Sequence, residues 1–297
     1  MELRLLLILL LSGLIACKSG VNTDSSTIGK LSKILSENPS KENRDALIAA
    51  YQDTIKADPN NSTANSAFFQ DLAKLHVDNK AYVFALQTIM QSIQDYPAVN
   101  GVAEKVWMLG EIYERNMQRQ TVANIVKKLY AQKFPSGANV AAAKQVLTNN
   151  AADIATDIAN LGNSMYDEKT HKVDFQAAND YIRICELFAL LQPKDSKSPE
   201  YLHKAGETAR AVRAFPQAVA IYDKIYSEYP NYEKAAQALF LKAFTYDNDL
   251  GDKATAKALY EEFLQKYPSD DFADDTQFLL SNLGKNDEEI IKGFGQQ

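Results

Sequence analysis

The chain has 297 residues, of which 46% are hydrophobic and 24% charged, with 12 glycines and 9 prolines. Few glycines and prolines beside abundant helix-forming residues favour an all-α protein and argue against a β-sandwich or β-barrel. The net charge is −6 and no basic run of five or more residues occurs, so nucleic acid is not an expected partner.

The N-terminus has the features of an export signal. Arg4 precedes an apolar run at residues 5–11, which is too short to span a bilayer core of ~30 Å and indicates a signal peptide over residues 1–16. The signal ends in Leu-Ile-Ala-Cys, which resembles the bacterial lipobox. That resemblance implies cleavage before Cys17 and a membrane anchor of acyl chains on its sulfur and new amine. The alternative is an ordinary secretory signal in which Cys17 is incidental.

The residues that follow the lipobox bear on the address of the protein. Residues 17–26 form a short, polar, lipidated tether. Lys18 stands where Asp favours inner-membrane retention in bacterial lipoproteins, and no acidic residue occurs in residues 18–22. This pattern implies the periplasmic face of the outer membrane. The other cysteine, Cys185, lies in an apolar helical stretch and is predicted to be a buried structural residue.

Residues 27–135 carry helical patterns with a regular period. A short amphipathic helix is followed by a second helix that Ser40 caps and Pro59 ends. Two further helix pairs end at Pro97 and Pro135, each 38 residues after the preceding proline. A helical period of this length is typical of solenoids, so we predict N-terminal helix–turn–helix repeats here.

The period fails in residues 136–197, which we predict to be an irregular helical repeat and a linker. Residues 138–147 show one unpaired helical pattern. The next repeat places Tyr166 on its first helix and has an unusually long turn at residues 167–173. The polar residues 192–199 are predicted to form a hinge.

Residues 198–297 contain the best-preserved repeats. Their common skeleton is Gly206, Ala218, Tyr222 and Pro230 in one repeat and Ala243, Ala256, Tyr260 and Pro268 in the next. A helix that begins at residues 270–271 would cover the last apolar face, and residues 286–294 form an amphipathic tail. These residues are therefore predicted to be two C-terminal repeats and a capping helix.

Two repeats share an insertion. Tyr113 and Ala123 are ten residues apart, as are Tyr246 and Ala256, whereas the usual motif has nine. We predict one extra residue in the turn between the two helices of each of these repeats.

The skeleton is similar to the tetratricopeptide repeat pattern W-x₂-L-G-x₂-Y…A-x₃-F…P, and the resemblance covers about residues 40–283. It implies an all-α, tetratricopeptide-like α-solenoid of about six helix–turn–helix repeats with a C-terminal capping helix. The endings at residues 228–230 and 266–268 resemble those of periplasmic tetratricopeptide proteins of the BamD and YbgF/CpoB types. This likeness implies an interaction scaffold for a protein or peptide of the bacterial envelope.

In this family the first helices line a concave groove, and the positions that face it transfer to fourteen residues of this chain. They are Gln70, Lys74, Trp107, Glu111, Glu114, Arg115, Asn163, Tyr166, His203, Glu207, Arg210, Phe240, Phe244 and Asp247. Aromatic side chains among charges suit peptide recognition. For Trp107 and Phe240, packing between helices is the alternative role. The Lys/Asn pattern of the family's carboxylate clamp is absent.

No motif points to catalysis. Residues 247–252 look like a calcium loop, but the glycine is fifth and the twelfth residue is Ala258 instead of Glu. The three histidines, His76, His171 and His203, fall in separate repeats, which does not suit a zinc site. We therefore expect no enzyme activity, no metal and no cofactor. A cell-surface glycan- or nutrient-binding lipoprotein that works with a transporter is the alternative function, and the oligomeric state stays open.

Overall fold

The computed structural model describes residues 25–149, 152–285 and 288, and these are largely α-helical. The helices pack in consecutive pairs, which confirms the predicted all-α, tetratricopeptide-like fold class. The chain divides into two compact units, Met1–Asp157 (unit 1) and Ile158–Gln297 (unit 2). The predicted signal peptide, Cys17 and nearly all of the C-terminal tail lie outside the described residues.

The described residues of unit 1 form helices that pack against their neighbours in sequence. They are α1 (Ser25–Glu37), α2 (Lys41–Ala57), α3 (Ser62–Asp78), α4 (Tyr82–Asp95), α5 (Val102–Glu111), the π-helical turn π1 (Ile112–Asn116), α6 (Gln120–Lys133) and α7 (Val140–Asn149). Helix α8 (Ile154–Asn163) contains the residues at which the two units divide.

Unit 2 is also built mainly of helices and includes a small hairpin. The elements among its described residues are β1 (Tyr166–Asp167), β2 (Lys172–Val173), α9 (Phe175–Leu191), α10 (Lys197–Ala211), α11 (Phe215–Glu228), α12 (Ala235–Phe244), the π-helical turn π2 (Thr245–Asp249), α13 (Lys253–Lys266) and α14 (Ala273–Asn282). The strands pair antiparallel, with Tyr166 opposite Val173.

Short-range signals set the helix ends. The predicted cap at Ser40 is confirmed, since its hydroxyl accepts a hydrogen bond from the Asn43 amide. Asp174 and Asp252 cap α9 and α13 in the same way. At the other end, α2 stops at Ala57, just before Asp58 and Pro59, because a residue before proline disfavours the helical conformation.

A glycine allows close approach of α10 and α11. A Cβ atom at Gly206 would lie 2.6 Å from Cε1 of Tyr222, a ring that is fully buried. Such a contact requires the ring or a helix to shift. In this repeat the small residue and the tyrosine of the sequence skeleton are therefore a packing pair.

We expect Gly206→Ala to destabilise unit 2 by about 1–3 kcal/mol, because overpacking outweighs the gain in helix propensity. Gly29→Ala is the matched control, since nothing lies within 4 Å of its Cβ position. That substitution should stabilise the chain by roughly 0.5–1 kcal/mol. Urea denaturation followed by circular dichroism measures both effects, and a stabilising Gly206→Ala would contradict the proposed contact.

The two repeats with an extra residue share a π-helical turn. In π1 the Met117 amide donates to the Ile112 carbonyl at 3.0 Å, and in π2 the Leu250 amide donates to the Thr245 carbonyl at 3.0 Å. These i→i+5 bonds take up one residue more than an α-turn. The predicted place of the insertion is therefore corrected from the inter-helix turn to the end of the first helix.

The middle of the chain differs from its prediction in three ways. Helix α7 is not unpaired, since it packs against α6. Tyr166 lies in the hairpin instead of on the first helix, because α8 already ends at Asn163. The predicted hinge is wrong, since α9 and α10 pack tightly across it and the Ser198 hydroxyl donates to the Gln192 carbonyl at 2.6 Å.

The C-terminal repeat is covered by a further helix, as predicted. Helix α14 packs against α13, and the neighbouring Phe272 stacks on Phe240 with ring centroids 4.7 Å apart. Gly284 follows α14 with a φ of +80°, a backbone conformation that only glycine adopts without cost. The cysteine prediction is also confirmed, because Cys185 is buried and has no disulfide.

Candidate protein-binding surfaces

Four of the predicted groove residues of unit 1 meet around one lysine of α6. We call this group the Lys127 cluster (Trp107, Glu111, Glu114, Arg115 and Lys127). The Lys127 ammonium lies 2.7 Å from a Glu114 oxygen and 3.5 Å from a Glu111 oxygen, and 5.2 Å from the centroid of the Trp107 ring. Glu111 also pairs with Arg115 at 2.7 Å. The cluster is thus an internally neutralised network.

The network depends on the packing of α5 against α6, because its central lysine is buried there. The Lys127 side chain is only 7% exposed, and its stem packs over Gly110, whose missing side chain leaves the space. Hydrogen bonds from Lys127 and from Gln120 lower the pKa of Glu114. Because π1 carries Glu114, the extra residue of this repeat helps place the carboxylate against the ammonium.

The predicted residues Gln70, Lys74 and Trp107 differ in their exposure to solvent. Lys74 is exposed and pairs with Asp71 at 3.2 Å on the surface of α3. Gln70 is half-buried on the same helix. Trp107 is half-buried as well, and its ring meets Tyr130 edge-on at 5.4 Å. Its position thus combines packing with partial exposure, and both roles named for it remain compatible with the structure.

The two predicted residues of the irregular repeat lie apart from these groups. Asn163 is exposed at the end of α8. Tyr166 is exposed on β1, where its hydroxyl lies 2.9 Å from Nδ1 of His171 across the hairpin.

In unit 2 the structure brings Arg210 and Phe244 together with an acidic residue of π2. The Arg210 guanidinium carbon lies 4.6 Å from the centroid of the Phe244 ring, and its Nε donates to Asp249 at 2.6 Å. Asp247, another predicted groove residue, lies in the same turn. It pairs with Lys253 and accepts a hydrogen bond from the Tyr260 hydroxyl at 3.2 Å. Both π-helical turns therefore carry a carboxylate that pairs with a cation of a neighbouring element.

His203 and Glu207 form a separate pair one turn apart on α10. Nδ1 of the buried His203 lies 3.5 Å from a Glu207 oxygen, and Nε2 lies 3.1 Å from the side-chain oxygen of Gln237. The His203 contact lowers the pKa of Glu207, which is exposed and stays ionised at neutral pH.

Phe240 does not lie on an open surface. It is 8% exposed and belongs to the core between α12, α13 and α14. Its ring stacks on Phe272 and meets Phe263 edge-on at 6.1 Å. The structure therefore favours the packing role for this residue.

An open cavity of about 750 Å³ lies at the turn end of α10 and α11. We call it the Arg213 cavity. Its walls include Glu207, Arg210, Arg213, Phe215, Leu241 and Asp249. Sequence reasoning included only Glu207 and Arg210, because the family positions describe first helices and omit the turn and the second helix. The sequence signal for this cavity was a cation, Arg213, two residues before an aromatic side chain, Phe215, at the start of α11.

Among the described residues, no helix is long and apolar enough to cross a membrane. In the same part of the chain, no group of three or more His, Cys, Asp or Glu side chains is arranged to hold a metal ion.

Comparison with known families gives a match at the C-terminal repeat. Residues 237–270, which span most of α12, π2, α13 and the following turn, match the family model described as the tetratricopeptide repeat. No curated protein matches the chain. The match and the packed helix pairs support a tetratricopeptide-repeat protein, a class that mediates protein–protein interactions and typically serves as a non-enzymatic scaffold.

Proposed function

We propose that this protein is a lipid-anchored interaction scaffold of the bacterial envelope, held at the periplasmic face of the outer membrane through Cys17. The observation that carries the proposal is the tetratricopeptide match at residues 237–270 within an array of packed helix pairs. Such arrays present extended surfaces to other proteins. The lipobox-like residues before Cys17 support the address, and acyl chains give durable membrane attachment.

The partner-binding surface in this proposal is made by the open first-helix residues. Lys74 and Arg115 are exposed there, and Trp107, which lies between them in the sequence, is half-buried. Arg and Trp are enriched among residues that dominate interface energies. The partner would be a protein segment of the envelope that lies along these side chains.

Site-specific photo-crosslinking in cells of the native bacterium tests this function. A crosslinker at Lys74 or Arg115 should capture one envelope protein, because both positions lie on first helices. Matched crosslinkers at Thr121 and Lys257, exposed positions on second helices, should capture much less of it. Capture of no partner, or equal capture from both sets, would contradict the scaffold role.

The same cells test the membrane address. Cys17→Ala should lose palmitate labelling and move the protein from the membrane fraction to the soluble fraction. The domain should also resist protease added to intact cells. Cleavage of the wild-type protein at the surface would instead support the glycan- or nutrient-binding alternative.

A further inference from the structure

We infer that the Arg213 cavity is a second binding site, which takes a carboxylate side chain of a partner segment next to an apolar side chain. This inference rests on the proposed role as a protein-binding scaffold. The cavity lies at the turn end of α10 and α11, where it shares Glu207 and Arg210 with the predicted groove and adds Arg213 and Phe215 from outside it.

Arg213 is the cation that gives the cavity its preference for a carboxylate. Its guanidinium carbon lies 5.6 Å from the centroid of the Phe215 ring, so the ring supports one face of the guanidinium group. Among the described residues, no carboxylate lies within ion-pair distance of Arg213. A stacked guanidinium keeps its N–H donors in the plane of the group, in the fork geometry that binds a carboxylate.

The second arginine of the cavity is already neutralised. Arg210 donates to Asp249 at 2.6 Å and lies over the Phe244 ring. Arg210 therefore adds a rigid wall, and Arg213 remains as the cation open to a ligand. The charges of Asp249 and of the ionised Glu207 disfavour a dianion such as a phosphate group. A monoanionic carboxylate fits this balance better.

The apolar part of the cavity defines the neighbouring residue of the ligand. Phe215 and Leu241 are half-buried and line the same space as Arg213. An apolar side chain that covers them would remove their remaining surface from water. The ligand class is therefore a peptide segment with Glu or Asp beside Leu or Phe.

Arg213 shares its backbone conformation with residues at the same place in other repeats, which provides a matched variant and a control. Lys80, Gln118 and Arg213 follow the first helices of three repeats, with φ values of 58°, 56° and 63°. Because Gln118 already occupies this left-handed conformation, Arg213→Gln should preserve the turn. Lys80→Gln removes the same charge from the same backbone position in unit 1 and serves as the control.

Fluorescence anisotropy with the full chain in detergent tests the site. The probes are labelled peptides of sequence GSLEFSG and GSLQFSG, and a third with phosphoserine in place of Glu. The Glu peptide should bind about tenfold more tightly than the Gln peptide, since a charge-assisted hydrogen bond is lost in the latter. Arg213→Gln should remove this difference, whereas Lys80→Gln should keep it. Arg213→Lys is the second variant and should retain part of the difference.

Several results would overturn the inference. They are equal binding of the Glu and Gln peptides, no binding of either, tighter binding of the phosphoserine peptide, or the same loss with Lys80→Gln. These results leave the scaffold role intact if crosslinking at Lys74 and Arg115 still captures a partner. Conversely, selective peptide binding without any captured partner would contradict the proposed envelope function alone.

Discussion

Asp157→Asn is expected to destabilise unit 1 by about 3–5 kcal/mol, because it removes the carboxylate from a buried ion pair. Nζ of Lys128 lies 2.6 Å from Asp157, and the two side chains are 0% and 8% exposed. The ammonium would keep its hydrogen bond to the Ala152 carbonyl at 2.6 Å but would lose its compensating charge. Trp107 is the single tryptophan of the chain, so denaturation followed by its fluorescence reports on unit 1.

The control for this substitution is an ion pair of similar length on the surface. Lys41 and Asp45 are 2.8 Å apart, with side chains 80% and 53% exposed. Asp45→Asn should leave the free energy of unfolding nearly unchanged, because water screens exposed pairs. The double variant Lys128→Met with Asp157→Asn should recover much of the lost stability, since the buried charge is gone. Equal losses for the two single Asp→Asn variants would show that burial does not set the energy of the Lys128 pair.

Phe240→Ala is expected to destabilise unit 2 by about 3–5 kcal/mol, because it opens a cavity in an aromatic core. The Phe240 ring contacts those of Phe272, Phe263, Tyr260 and Phe244, with centroids between 4.7 and 6.5 Å away. Guanidinium denaturation followed by circular dichroism gives the free energy of unfolding.

Phe244→Ala provides the comparison on the same helix, four residues further on. Phe244 is half-buried and lies under the Arg210 guanidinium, so its loss should cost about 1–2 kcal/mol through lost packing and a cation–π contact. A Phe240→Ala variant as stable as Phe244→Ala would mean that Phe240 is not a core residue. It would then return to the set of groove candidates.

Several features of the fold follow from short-range signals and were predictable. The 38-residue proline spacing marks the ends of second helices, and Ser40 caps α2 through its own neighbouring amides. Proline and N-cap chemistry act within a few residues, so their effect does not depend on the rest of the molecule. In the repeat of α10 and α11 the small residue and the tyrosine, Gly206 and Tyr222, likewise identify a close helix pair.

The candidate surfaces were predictable only in part. Trp107, Glu111, Glu114 and Arg115 were named from first-helix positions, but Lys127, which holds two of them, comes from the second helix. A lysine in an amphipathic helix ordinarily indicates a solvated face. Here the missing side chain of Gly110 gives the lysine stem a place in the interior, a fact that depends on the packing of α5 against α6.

The sequence by itself determined the class of fold and the order of the helices, because period, caps and helix breakers are local properties. Tertiary structure decided where the extra residue of two repeats goes, since the π-helical turns place carboxylates against cations of neighbouring elements. It also decided that Phe240 is core and that Arg213 and Asp249 line one cavity. Those outcomes depend on burial and on contacts between residues distant in sequence, which no local pattern encodes.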